Sequence, residues 1–92
     1  VADVLQSGLA IAAKSSYYDR FRGRIIFPLI DTKNRIIGFS GRVLDQAEPK
    51  YINTPQTAIF EKGNFLFGLN LTKGDIRFKD EAILVEGELD AI

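Results

Sequence analysis

The apolar positions of this chain change period several times, and each change predicts an element. Over residues 2–14 (ADVLQSGLAIAAK), Val4, Leu5, Leu9, Ile11 and Ala12 recur near helical spacing, which predicts a short helix weakened by Gly8. Ser15, Ser16 and the stretch Tyr17-Tyr18-Asp19 break that pattern. Residues 24–30 (RIIFPLI) are β-branched and aromatic, so they read as a strand. Pro28 lacks the ladder donor, which places this strand at a sheet edge or next to a bulge. A turn over residues 31–34 leads into a returning strand over 35–43 (RIIGFSGRV), and the two form an antiparallel hairpin. Gly38 and Gly41 in the second strand point to a bulge, or to close approach of another group.

Beyond the hairpin the signals are shorter. Residues 45–49 read as a loop, and residues 50–53 as a short strand closed by Thr54-Pro55. No element is predicted for residues 56–64. Residues 65–69 (FLFGL) are apolar and expected to be buried, and residues 70–75 form a helical turn or a loop. Phe27, Phe39, Phe60, Phe65 and Phe67 are expected in the core. Residues 81–86 read as a strand whose continuous run AILV suits a parallel sheet buried on both faces. A helix is expected to begin over 89–92. The fold class is therefore α+β, with a mixed, mainly antiparallel sheet and a few short helices.

Ninety-two residues make one small domain or a piece of a larger one, and the start in mid-pattern at Val1 reads as a fragment. No run approaches the roughly 18 apolar residues needed to cross a bilayer, and no secretory leader is visible. Cysteine and histidine are absent. Disulfides, thiolate or imidazole zinc sites, a Cys nucleophile and a His base are thereby excluded from this chain. A metal here needs carboxylate ligands, which suits Mg²⁺ or Mn²⁺.

The net charge of zero conceals an asymmetry. Residues 14–62 carry nine cations against five acids, whereas residues 63–92 carry three cations against six acids. A basic middle and an acidic end suit polyanion contact and metal binding; a well-mixed solvated surface is the alternative. The acids Glu86, Glu88 and Asp90 follow the AILV run directly. Ligands gather outside the carboxyl ends of strands in open α/β sheets, and Gly87 allows a sharp exit there. Acids at a helix start also act simply as caps, and capping or plain solvent exposure is the reading favoured for Glu88. Arg20, Arg22 and Arg24 alternate along DRFRGR and, in a strand, would share one face. Such a row suits a single-stranded template, with a salt-bridged surface involving Asp19 as the competitor. Tyr17 and Tyr18 stay undecided.

The segments DRFRGRIIFPLID, GFSGRVL, PKYINTP, IFEKG, LFGL and ILVEGELDAI, in that order, resemble the bacterial DnaG-type primases, DNA-dependent RNA polymerases that make replication primers. The resemblance implies that residues 1–80 are the N-terminal subdomain of the catalytic core. It also implies that residues 81–92 open the Toprim subdomain, truncated after its first strand. It implies metal-dependent nucleotidyl transfer, with a zinc-binding domain upstream and further acids downstream. Glu86 then binds Mg²⁺ or Mn²⁺ or assists proton transfer, and Asp90 is its companion acid. Arg42, Lys50, Tyr51 and Lys62 face the same cleft, with Lys62 counted among the catalytic residues and Arg20, Arg22 and Arg24 on nucleic acid. Asn53 and Thr54 position the Lys50 loop. The implied partners are single-stranded DNA template, ribonucleoside triphosphates, RNA primer, a replicative helicase and a single-strand-binding protein, in the bacterial cytoplasm and with no membrane. A phage-type primase–helicase, another Toprim protein, or a non-catalytic single-stranded nucleic-acid-binding module are the alternatives.

Overall fold

The structure is a computed structural model that describes residues 2–46 and 48–92. Val1, and Ala47 within the expected loop 45–49, lie outside the described residues. The chain runs α1 (Ala2–Ser7), β1 (Ala10–Ala12), β2 (Tyr17–Asp19), β3 (Arg24–Ile30), β4 (Ile36–Val43), β5 (Tyr51–Asn53), a 3-10 turn (Lys62–Asn64), α2 (Leu69–Lys79) and α3 (Glu88–Ala91). β1 and β2 form a small antiparallel ladder, and β3-β4-β5 form an antiparallel sheet with β4 in the middle. The expected α+β class with short helices and antiparallel pairing is what the chain adopts.

The hairpin folds as its pattern predicts. Arg24 pairs with Val43 and Leu29 with Gly38, with a register shift between Leu29 and Ile30. Pro28 lies on β3, an edge strand, where its missing N–H leaves no gap in a central ladder. The turn is built by Asp31. Its carboxylate accepts the N–H of Lys33 and of Arg35, each at 2.9 Å, and the Arg35 Nε at 2.9 Å. The Arg35 N–H bond in particular holds the Asp31 carboxyl below its ordinary range. Asn34 takes the left-handed conformation at φ 62°, which Asn tolerates in turns.

Phe27 and Leu29 point to one face of the sheet, opposite Ser40 and Gly38 of β4. Phe60, only 2 % exposed, and Thr54 close over them. Phe27 meets Phe67 edge-on at 6.1 Å, and Phe60 meets Phe65 at 5.9 Å. On the other face Phe21 packs edge-on against Phe39 at 6.4 Å. Of the five phenylalanines expected in the core, Phe27 and Phe60 are fully buried, and Phe39, Phe65 and Phe67 are half-buried. Thr54 ties β5 to β4: its Oγ1 accepts the Phe39 N–H at 2.7 Å and donates to the Phe39 carbonyl at 3.2 Å. Ser40 Oγ is fully buried without a hydrogen-bond partner.

Four sequence expectations are corrected. The helix predicted over residues 2–14 stops at Ser7, because Gly8 adopts φ +80° beside Pro55. The apolar residues after it alternate into β1, since a short apolar run satisfies either period and the ladder with β2 decides. Residues 20–23 form a turn and not a strand. Residues 69–79 form a full helix where only a turn or loop was expected, although Leu71 and Phe78 on it are largely exposed. Finally, residues 81–86 form no strand, and Ile83 and Leu84 are 91 % and 81 % exposed. An extended apolar run becomes a strand only when a neighbour completes its hydrogen-bond ladder, and no described strand lies alongside this one.

Candidate nucleic-acid and phosphate interface

Arg42 and Tyr51 are direct cross-strand partners of β4 and β5, so they emerge from the same face of the sheet. Arg42 Nη1 donates to the Tyr51 hydroxyl at 2.9 Å, and the guanidinium carbon sits 5.3 Å from the centre of the Tyr51 ring. The pair occupies the end of the face whose other end is the Phe27–Leu29 core.

The acidic turn comes to the same place. A Cβ built on Gly87 would stand 3.2 Å from the Tyr51 hydroxyl and 3.4 Å from Asp90 Oδ2. The structure therefore brings Tyr51, which Arg42 holds, against the turn that carries Glu86 and Asp90. Glu86 is exposed, Glu88 is half-buried and Asp90 is exposed. Of the two acids in the first turn of α3 it is Asp90 that bonds the turn, its Oδ2 accepting the Gly87 N–H at 3.3 Å. Gly87 itself has φ −125° and ψ 160°, extended backbone open to any residue. The expectation that it supplies a glycine-only exit is corrected: the space beside Tyr51 is what calls for glycine.

Lys50 immediately precedes β5, and its carbonyl is fastened twice, by the Val43 N–H at 3.0 Å and by Arg24 Nη1 at 3.2 Å. The same Arg24 nitrogen also donates to the Gly41 carbonyl at 3.2 Å. Lys62 opens the 3-10 turn and is exposed. Because residues 20–23 form a turn, the three arginines of DRFRGR do not share a face as strand alternation would require. Arg20 Nε donates to the Gly8 carbonyl at 2.6 Å, Arg24 holds the Gly41 and Lys50 carbonyls, and Arg22 lies over the Tyr18 ring at 4.6 Å. Asp19, proposed as their salt-bridge partner, instead accepts the Phe21 N–H at 2.8 Å.

Two concavities of about 350 and 470 Å³ are lined by residues including Phe60 and Asn64, and Val4 and Tyr18, respectively; neither takes in Arg42, Lys50, Lys62 or Glu86. Among the described residues, no three acids come together as a metal cage. Glu86 is one exposed carboxylate, which fits the one or two that a Mg²⁺ ion takes from protein when phosphates and water complete its shell. No described helix is long and apolar enough to cross a membrane.

Sequence reasoning missed the contact between Tyr51 and Gly87 and the stapling by Arg24. Both depend on strand register and on a long-range approach, and neither leaves a local signal.

Comparison with known proteins places the chain among its relatives. The family model described as "DNA primase catalytic core, N-terminal domain" matches residues 1–73. The DNA primase of Clostridium acetobutylicum is 48% identical over 91 residues, covering 98% of this chain and 15% of that protein. A DNA primase domain from Pseudomonas aeruginosa, known from its crystal structure, superposes with a TM-score of 0.86 at 43% identity, covering 97% of this chain and 28% of that one. A DnaG primase catalytic domain bound to single-stranded DNA superposes with a TM-score of 0.82 at 40% identity, over 97% of this chain and 28% of its own. The chain thus spans a small part of the length of the curated relatives it matches.

Proposed function

The chain belongs to the DNA primase catalytic-core N-terminal domain family, and from that premise we propose that it is the phosphate-binding wall of a polymerase that makes RNA primers on single-stranded DNA. The observation that carries the reading is the meeting of the Arg42–Tyr51 pair with the turn bearing Glu86. A cationic sheet face and a turn bearing a carboxylate are the two parts that nucleotidyl transfer requires.

In that reaction a 3′-hydroxyl attacks the α-phosphate of a ribonucleoside triphosphate and pyrophosphate leaves, so negative charge must be stabilised and the reactants held in line. Arg42 presents a planar guanidinium, suited to two phosphate oxygens at once. Lys50 and Lys62 present mobile point charges for triphosphate or template backbone, and Arg22 with Tyr18 adds a cation beside an aromatic face. Arg20 and Arg24 act through the backbone they hold, Arg24 by fixing the Lys50 carbonyl. Glu86 is the residue that would hold Mg²⁺ or Mn²⁺, together with acids outside this chain and the nucleotide phosphates. Such an ion would neutralise charge on the transferring phosphate. Asp90 keeps the turn closed. Residues 1–80 form the N-terminal subdomain and residues 81–92 the start of a Toprim subdomain. In the intact protein the further partners are the RNA primer, a replicative helicase and a single-strand-binding protein, in the bacterial cytoplasm. A related catalytic domain is known bound to single-stranded DNA, which supports a DNA template as a partner.

The test uses the intact protein. Glu86→Gln, Lys50→Ala and Lys62→Ala should each abolish primer synthesis with circular dichroism unchanged, and the two lysine variants should also weaken single-stranded DNA binding. Full synthesis by the Glu86→Gln or the Lys62→Ala enzyme would remove that residue from the site.

A further inference from the structure

We propose that Tyr51 is a positioning residue: its hydroxyl, held by Arg42, is the stop against which the Gly87 backbone seats, and it thereby sets where Glu86 lies on the basic sheet. The inference rests on the reading of Glu86 given above and adds the residue that places it.

Gly87 is half-buried with an extended backbone at φ −125°, so conformation does not demand glycine there. Space does. An added Cβ would meet the Tyr51 hydroxyl at 3.2 Å, Asp90 Oδ2 at 3.4 Å and Tyr51 Cζ at 3.8 Å. The phenolic oxygen is the nearest of the three and the tightest, Asp90 Oδ2 stands at the edge of ordinary contact, and the ring carbon is at ordinary distance. That phenolic oxygen is the tip of a side chain and could in general swing away. Here it accepts Arg42 Nη1 at 2.9 Å, and its ring lies under the same guanidinium. Arg42 in turn stands on the central strand, so the stop is anchored to the most restrained part of the sheet. On the other side Asp90 accepts the Gly87 N–H. Gly87 is thus fixed between Tyr51 and Asp90, and Glu86 is the residue before it. One face of the Tyr51 ring is already occupied by Arg42, which favours the positioning role over stacking on a base.

The test is a double-mutant cycle in the intact protein, with kcat and KM for nucleotide, template affinity, and amide hydrogen exchange at residues 87–91. Gly87→Ala should lower kcat about fivefold, because displacements of tenths of an ångström at a reacting site are felt in rate, with template affinity within about twofold of wild type. Tyr51→Phe removes the offending atom, so Tyr51→Phe/Gly87→Ala should return kcat to within about twofold of Tyr51→Phe alone. Gly87→Ala at the wild-type rate, or a double variant no better than Gly87→Ala, overturns the inference. Tyr51→Ala should accelerate exchange at residues 87–91 whatever the reaction is, and unchanged exchange also overturns it. Glu86→Gln separates the two proposals. Synthesis surviving in that variant sinks the reading of Glu86, while the exchange result still decides whether Tyr51 seats the turn.

Discussion

Replacing Gly41 by alanine tests why a glycine lies in the central strand next to Arg42. The added Cβ would stand 2.7 Å from Phe21 Cδ1 and 3.1 Å from Arg24 Cδ. Carbon atoms rest at about 3.5–4.0 Å, so the ring has to move by roughly 1 Å. Phe21 is 6 % exposed and packed edge-on against Phe39, which leaves it little room. Overpacking of this kind costs about 1–3 kcal/mol. Arg24 must shift as well, which loosens its hold on the Gly41 and Lys50 carbonyls. Gly74→Ala is the matched control: the same methyl group is added on α2, where nothing lies within 4 Å. There alanine should stabilise by about 0.5–1 kcal/mol, as it does in a helix interior. In thermal unfolding of the intact protein the two variants should move the midpoint in opposite directions, by about 2–4 °C per kcal/mol for a domain of 150–250 residues. If Gly41→Ala unfolds at or above the wild-type temperature, Phe21 relocates freely, and close packing is not what the glycine serves.

Arg24→Ala should cost about 1 kcal/mol of stability through the lost carbonyl bonds and weaken single-stranded DNA binding by freeing the Lys50 segment. The slope of log affinity against log salt should stay unchanged, whereas Lys50→Ala should reduce its magnitude by roughly 0.7, the single-strand value for one phosphate contact. An equal drop for Arg24→Ala in a fluorescence-anisotropy salt series would mean that Arg24 touches phosphate itself. Ser40→Ala should leave stability unchanged or raise it by up to about 1 kcal/mol, since it removes a buried hydroxyl without a partner. A loss larger than that in denaturant unfolding would show that the hydroxyl is satisfied by water.

The hairpin was legible because its signals are local. RIIFPLI and RIIGFSGRV carry β-forming residues, Asp31 to Asn34 carry turn chemistry, and Pro28 marks an edge. The six segments that resemble the primases are equally local, and the family match over residues 1–73 agrees with the first five of them. Residues 10–12 and 81–86 were misread for one reason. A short apolar run states that it is to be buried but not against what. β1 found β2, and the AILV run found no strand among the described residues. The alternation of Arg20, Arg22 and Arg24 misled in the same way, because a two-residue period holds only in a ladder, and this segment turns.

By itself the sequence determined the composition of the candidate site: carboxylates and cations without cysteine or histidine, a β-hairpin that carries Arg42, and the order of the segments. Only the tertiary structure decided which of these groups meet. Pairing β4 with β5 placed Arg42 on Tyr51, and folding the last turn back onto that pair placed Gly87 beneath the phenol. It also gave Arg24 a hold on the Lys50 carbonyl. The physical reason is range. Propensity and periodicity are properties of a few neighbouring residues, whereas contacts between residues 24 and 50 or 51 and 87 arise from register and close packing, which the assembled chain alone can specify.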